Sequence, residues 1–197
     1  MSKKIKHFLN ADWAYLVYSG SGAQALNLLA YPVLANLYSP SDFGLFAFSL
    51  SLIVLFGSLI FCRTDALIQI VDESRERSVL IFSLVSGFFL AIALYCIFWL
   101  FKTIGLLDDL DVDLTPFLAA LIIIGSLLHA SFALSRQVFA KRRTYKRFAS
   151  ANLIRTLVTL SSQILLVGIV GNTYGLISGF FAGLISAIII VNPYNFG

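Results

Sequence analysis

Few side chains in this sequence could do chemistry, and most of them stand at or inside long apolar runs. Arg63-Thr64-Asp65 closes the uncharged run Phe43–Cys62 with a close opposite-charge pair. Arg155 and Gln163 interrupt a later run, Gln24 and Asn27 sit in the first, and His129 sits in the fourth. A polar group facing hydrocarbon is costly, so such residues should look at protein or at a watery cavity. Arg63 and Arg155 invite two readings. Each could hold an anionic headgroup such as a phosphate, with Asp65 beside Arg63, or each could snorkel to the water boundary. His129, near Ser126 and Ser131, is a proton-coupling candidate or a hydrogen-bonded packing residue. Gln24, Asn27, Tyr31 and Tyr38 fall at helical spacing on one face, for interhelical hydrogen bonds or for substrate contact.

Other chemistries lack their parts. Asp109, Asp111 and Asp113 resemble the start of a calcium loop, but the required glycine and distal glutamate are missing, so no metal site is expected. A serine protease of the membrane needs its nucleophile within reach of a base. Neither Ser19-Gly20-Ser21-Gly22 nor Gly175-Leu176-Ile177-Ser178-Gly179 has the G-x-S-G spacing. Cys62 and Cys96 fall at opposite ends of neighbouring spans, about 25 Å apart in depth at 1.5 Å per residue. A disulfide needs Cα atoms within about 7 Å, so both are expected to be packing residues. No enzyme and no cofactor is expected.

The elements that must position these residues are set by composition. Of 197 residues 59% are hydrophobic and only 12% charged, with a mean hydropathy of +0.90. A soluble domain carries roughly 25% charged residues. The deficit, together with the uninterrupted apolar runs, makes lipid the solvent for most of the chain. The net charge of +4 sits beside those runs and not on a soluble basic face, which argues against nucleic acid. The expected fold is all-α, an integral membrane bundle of six transmembrane helices forming one domain over 1–197. The spans are expected at about 13–38, 43–62, 78–101, 114–135, 148–170 and 174–191.

Local signals support these bounds. Met1–Asp12 reads as a basic tail before an uncleaved first helix, since the 29 uncharged residues Trp13–Ser41 far exceed a signal-peptide core of about 7–15. Pro32 should kink that helix. Ser39-Pro40-Ser41-Asp42 reads as a turn with Ser41 or Asp42 as N-cap. Pro116 suits a first helical turn. Ser83, Gly87 and Ala91 form one small-residue ridge, and Gly175, Gly179 and Gly183 another; both allow close helix approach.

Arg136–Arg147 carries six of the 14 Lys and Arg residues and reads as a basic loop between the fourth and fifth spans. With both termini inside, the inner segments hold 12 Lys and Arg and the outer loops only Lys102. Cation counts set orientation, so N- and C-termini are expected in the cytoplasm.

Three stretches resemble bacterial polysaccharide and O-antigen flippases of the multidrug/oligosaccharidyl-lipid/polysaccharide exporter superfamily. Leu34–Phe48, LANLYSPSDFGLFAF, is similar to the loop between the first two helices of that family. Arg63-Thr64-Asp65 resembles its Arg-x-acid at the end of the second helix. Lys141-Arg142-Arg143 and Tyr145-Lys146-Arg147-Phe148 resemble its basic hairpin before the fifth helix, and the Arg155/Gln163 pattern is a weaker match. The resemblance implies one lobe of a two-lobed exporter in the bacterial inner membrane. It would flip a polyprenyl-pyrophosphate-linked oligosaccharide for lipopolysaccharide or other surface polysaccharide. Membrane lipid, this substrate, and a missing C-terminal lobe or a second copy are the implied partners. The chain is expected to be an N-terminal fragment of such a transporter. The alternatives are a non-transporting remnant or assembly component, and a small-molecule exporter of the same superfamily.

Overall fold

The computed structural model describes residues 3–61, 64–105, 115–170 and 172–191, with the side chains of 3–14, 16, 64–66 and 73 outside the description. Described residues form helices and the turns between them: α1 (Lys3–Leu37), α2 (Pro40–Ile60), α3 (Thr64–Ile70), α4 (Glu73–Thr103), α5 (Pro116–Lys141), α6 (Tyr145–Leu166) and α7 (Thr173–Val191). The fold class is therefore all-α, as expected from the apolar runs.

Four of these helices are long and apolar enough to cross a membrane: Pro40–Ile60, Ser74–Thr103, Pro116–Lys141 and Thr173–Val191. By that criterion four of the six expected spans qualify. The other two expected spans lie in α1 and α6, whose interiors carry amides and hydroxyls, and in α6 a guanidinium. These two polar helices pack on each other, and α6 packs further on α7. Large apolar side chains such as Phe82, Phe89, Leu29 and Leu165 are exposed, which a protein surrounded by water rarely shows on this scale.

The chain divides into two compact units, Met1–Phe43 with Ser135–Gly197, and Gly44–Leu134. In the second unit, Ser49, Ile53, Gly57 and Ile60 make the buried stripe of α2. Ser83, Gly87 and Ala91 are all buried on α4, as their spacing predicted. A Cβ on Gly87 would stand 2.6 Å from Phe61 Cε1, so only hydrogen fits there. Hydroxyls inside the spans are satisfied locally: Ser49, Ser83, Ser126 and Ser131 each donate to the carbonyl four residues earlier.

Several boundaries differ from expectation. The tail before Trp13 is helical from Lys3. The segment 64–77, expected as part of an inner loop, contains the short helix α3 and the start of α4. Helix α2 begins at Pro40 and its cap is Ser39, not Ser41 or Asp42: Ser39 Oγ accepts from the Asp42 N–H at 3.2 Å. Proline at the first helical position wastes no hydrogen bond, which shifts the start two residues earlier. Thr115 caps α5 in the same way, its Oγ1 accepting from the Leu118 N–H at 3.1 Å.

The basic stretch is not an extended loop. Helix α5 continues through Lys141 and α6 starts at Tyr145. The turn is closed by Thr144 N–H donating to Phe139 O at 3.1 Å and Arg143 N–H to Ala140 O at 3.3 Å. These are the two nested bonds of a Schellman ending, whose inner donor is a left-handed residue. Arg143 supplies it, with φ of 55°. Cys96 is exposed and free, so it is not a packing residue; on a helix bathed in lipid an apolar thiol needs no cover.

Candidate functional site

The polar residues of the first unit are organised along α6. Arg155, Thr159 and Gln163 recur every fourth residue and so share one face. Gly183, Gly179 and Gly175 recur at the same interval on α7, which runs the other way. A Cβ on Gly179 would lie 2.9 Å from the Gln163 backbone N, and one on Gly183 would lie 2.7 Å from the Arg155 carbonyl oxygen and collide with the Thr159 hydroxyl. The glycine ladder therefore lets α7 lie directly on the polar face of α6.

Gln163 is 3% exposed. Its Nε2 donates to the Leu176 carbonyl at 3.0 Å, and its backbone carbonyl accepts from the Tyr38 hydroxyl at 2.7 Å. It joins three segments. Arg155 is half-buried, with its guanidinium 5.6 Å from the centre of the Phe180 ring. An aromatic face in apolar surroundings attracts a cation, so α7 supports the position of this charge without neutralising it.

The other end of the α1–α6–α7 packing is tied by Asp42. Its Oδ1 accepts from the Thr173 N–H at 2.9 Å and from the Thr173 hydroxyl at 2.8 Å, while Oδ2 accepts from Ser39 Oγ at 2.5 Å. A carboxylate at the first residue of α7 meets the positive end of that helix. Tyr38, 4% exposed, lies edge-on to Phe43 with ring centres 6.2 Å apart, and a Cβ on Gly175 would stand 3.0 Å from its hydroxyl oxygen. The Tyr38–Phe43 stretch is thus a clamp that fastens the end of α1 and the start of α2 to α6 and α7. Sequence reading singled out this stretch by resemblance but did not assign Asp42, Tyr38 and Thr173 to one network. The signal that could have done so is a lone acid in a short turn, opposite a helix that begins with threonine.

Of the residues expected to bind substrate, Arg155 and Gln163 come together on one face of α6. Gln24 is exposed on α1 and Asn27 half-buried, and Tyr31 is exposed while Tyr38 is buried. The four do not form one uniformly covered face: only Tyr38, bonded to the Gln163 carbonyl of α6, is buried. Arg63 lies outside the described residues. Asp65 lies in α3, its side chain outside the description, and the acidic run 108–113 is outside it as well. His129 belongs to the second unit and packs on Gly57, where a Cβ would lie 3.1 Å from His129 Cδ2 and 3.2 Å from the Ser126 carbonyl. Ser126 and Ser131 each donate a hydroxyl hydrogen bond to their own helix.

The second unit also holds an apolar groove of about 330 Å³ lined by Phe48, Phe56, Phe98, Phe101 and neighbouring aliphatic residues. It offers nothing to hold a phosphate. Among the described residues no three His, Cys, Asp or Glu side chains gather as metal ligands.

A family model described as "Polysaccharide biosynthesis protein" matches residues 33–195. That segment covers most of the chain, including the 38–43 clamp and the α6–α7 seam. The chain belongs to the polysaccharide biosynthesis protein family. Family membership and the four apolar helices together make it a membrane protein of polysaccharide biosynthesis. No curated protein and no solved structure matches it.

Proposed function

We propose that this chain takes part in flipping a polyprenyl-pyrophosphate-linked oligosaccharide from the cytoplasmic to the outer leaflet of the bacterial inner membrane, for lipopolysaccharide or related surface polysaccharide. In this reading it acts without enzymatic chemistry, as one lobe beside a second six-helix lobe. All six long helices cross the bilayer, α1 and α6 being the two whose polar faces need protein or water beside them. Both termini are cytoplasmic, as the distribution of cations favours.

The observation that carries this reading is Arg155. The family makes polysaccharide, and its lipid-linked intermediates are anionic in the proposed substrate. A half-buried guanidinium held over Phe180 on the most polar long helix is suited to recognise pyrophosphate through paired, charge-assisted hydrogen bonds. Arg63 and Asp65 are proposed as a second contact, and His129 as a proton-coupling residue.

The test is reconstitution into liposomes with a fluorescent polyprenyl-pyrophosphate oligosaccharide and a leaflet-selective quencher. Wild-type protein should expose label to the opposite leaflet. Arg155→Ala should slow this at least 10-fold with insertion unchanged, and Arg155→Lys should recover only part, because an ammonium cannot make the forked contact. Equal rates for wild type and Arg155→Ala would remove Arg155 from the site. No movement by the wild-type protein when a second six-helix lobe is reconstituted with it would favour a non-transporting assembly component.

A further inference from the structure

We propose that the helical turn joining α5 to α6 is a binding site for the headgroups of anionic phospholipids. Six cations lie in this turn and its flanks, and five of them, Arg136, Arg142, Arg143, Lys146 and Arg147, are exposed. No Asp or Glu occurs anywhere from Leu114 to Gly197. Among side chains described in the first unit, Asp42 is the one carboxylate, and it is bound to Thr173 at the start of α7. The basic turn lies at the other end of that helix, where Arg147 Nε donates to Ile190 O at 3.2 Å.

The wider charge distribution points the same way, resting here on the six-crossing topology proposed above. On the side carrying this turn, 12 Lys and Arg face five Asp and Glu; on the opposite side Lys102 faces five acids. The first side keeps a net charge of +7 whichever of its acids approach the turn. Such a surface draws anionic lipid to the membrane boundary.

Orientation alone would require only the number of these cations, not a fixed conformation. The turn nevertheless has a defined backbone and a packed base. Two nested backbone bonds close it around a left-handed Arg143. Beneath it Phe139, Ala151 and Val191 form a fully buried cluster against Phe148 and Ile190. Lys146 is held with its Nζ 4.8 Å from the centre of the Tyr15 ring. Cations presented on a packed base lose little freedom when a phosphate binds, which is the requirement for a site.

The measurement is the thermal unfolding of the purified protein in neutral detergent, titrated with phosphatidylglycerol or with phosphatidylcholine. Phosphatidylglycerol should raise the midpoint and phosphatidylcholine should not. The triple variant Arg142→Gln/Arg143→Gln/Lys146→Gln should bind phosphatidylglycerol roughly 100-fold more weakly. Lys3→Gln/Lys4→Gln/Lys6→Gln, with the same loss of charge, should bind it within a few-fold of wild type. Equal loss in both variants would mean overall charge and not a site, and would overturn the proposal. So would an unchanged affinity in the first variant, or displacement of the lipid by millimolar pyrophosphate, which would mark the turn as a contact for the soluble anion. Cysteine-accessibility mapping of both variants reports the topology separately, so an inverted protein is distinguished from a lost lipid site.

Discussion

One oxygen of Asp42 accepts both the backbone N–H and the side-chain hydroxyl of Thr173, residues 131 positions apart in the chain. The pair closes the first unit at the end away from the basic turn. It uses the α7 N-terminus, where a negative charge is most favourable. Hydrogen bonds to a charged acceptor stabilise by about 1.5–3 kcal/mol each, although half-exposure of Asp42 places this pair at the low end. Asp42→Ala should therefore lower stability by about 2 kcal/mol. Thr173→Ser should retain most of it and Thr173→Val should lose the hydroxyl part. Unfolding in detergent measured as a double-mutant cycle checks the coupling: additive losses from Asp42→Ala and Thr173→Val would show that the hydroxyl bond contributes nothing.

The glycine ladder on α7 makes a second, graded prediction. Gly183→Ala meets the Arg155 carbonyl at 2.7 Å and Gly179→Ala meets the Gln163 backbone N at 2.9 Å, whereas nothing lies within 4 Å of a Cβ at Gly168 or Gly20. The ladder substitutions should cost about 1–3 kcal/mol or more, as overpacking does. Gly168→Ala and Gly20→Ala should leave the unfolding midpoint near wild type. A uniform response at all four positions would contradict the close α6–α7 approach.

Arg143 is expected to respond in the opposite sense. Its φ of 55° is a conformation that costs a residue with a side chain roughly 1–2 kcal/mol and costs glycine little. Arg143→Gly should thus stabilise the isolated protein by up to about 1 kcal/mol, and Arg143→Val should destabilise it. If Arg143→Gly proves as destabilising as Arg143→Val, the left-handed turn is not the conformation in solution.

Tyr38 offers a test of the α1–α6 connection. Tyr38→Phe removes one hydroxyl donating to Gln163 O and keeps the ring against Phe43. The loss should be about 1 kcal/mol. Because the bond goes to a backbone carbonyl, replacing the Gln163 side chain should not abolish the Tyr38→Phe effect. Gln163→Leu should instead remove the inter-helix donor to the Leu176 carbonyl and loosen α7, seen as faster amide exchange at the start of that helix.

Much of the architecture was legible in the sequence because it follows from local rules. Long apolar runs form helices, since a bilayer leaves backbone groups no other partner. Pro116 starts a helix as its sequence position predicts, because the lost N–H has no use there; Pro40, expected in a turn, starts one too. Spacing alone put Gly175, Gly179 and Gly183 on one face, and Arg155 with Gln163 on another. What faced each stripe depended on the fold. Nothing in the local sequence tells that the glycines of α7 meet the polar face of α6, or that Gln163 is occupied by Leu176 while Arg155 stays half-exposed over Phe180.

The turn at 142–144 and the Asp42–Thr173 pair show where local reading ends. Six cations in twelve residues look like a solvated loop, because charge count carries no information about backbone bonds; the apolar base of Phe139, Ala151 and Val191 continues the helices to within three residues of each other. The sequence by itself determined a membrane-embedded all-helical chain, its small-residue faces and the asymmetry of its charges, all of which depend on neighbours within a few turns. Only the tertiary structure decided which stripe meets which, and that Asp42 binds Thr173. Such contacts depend on how whole helices pack, and no short window of residues contains that geometry.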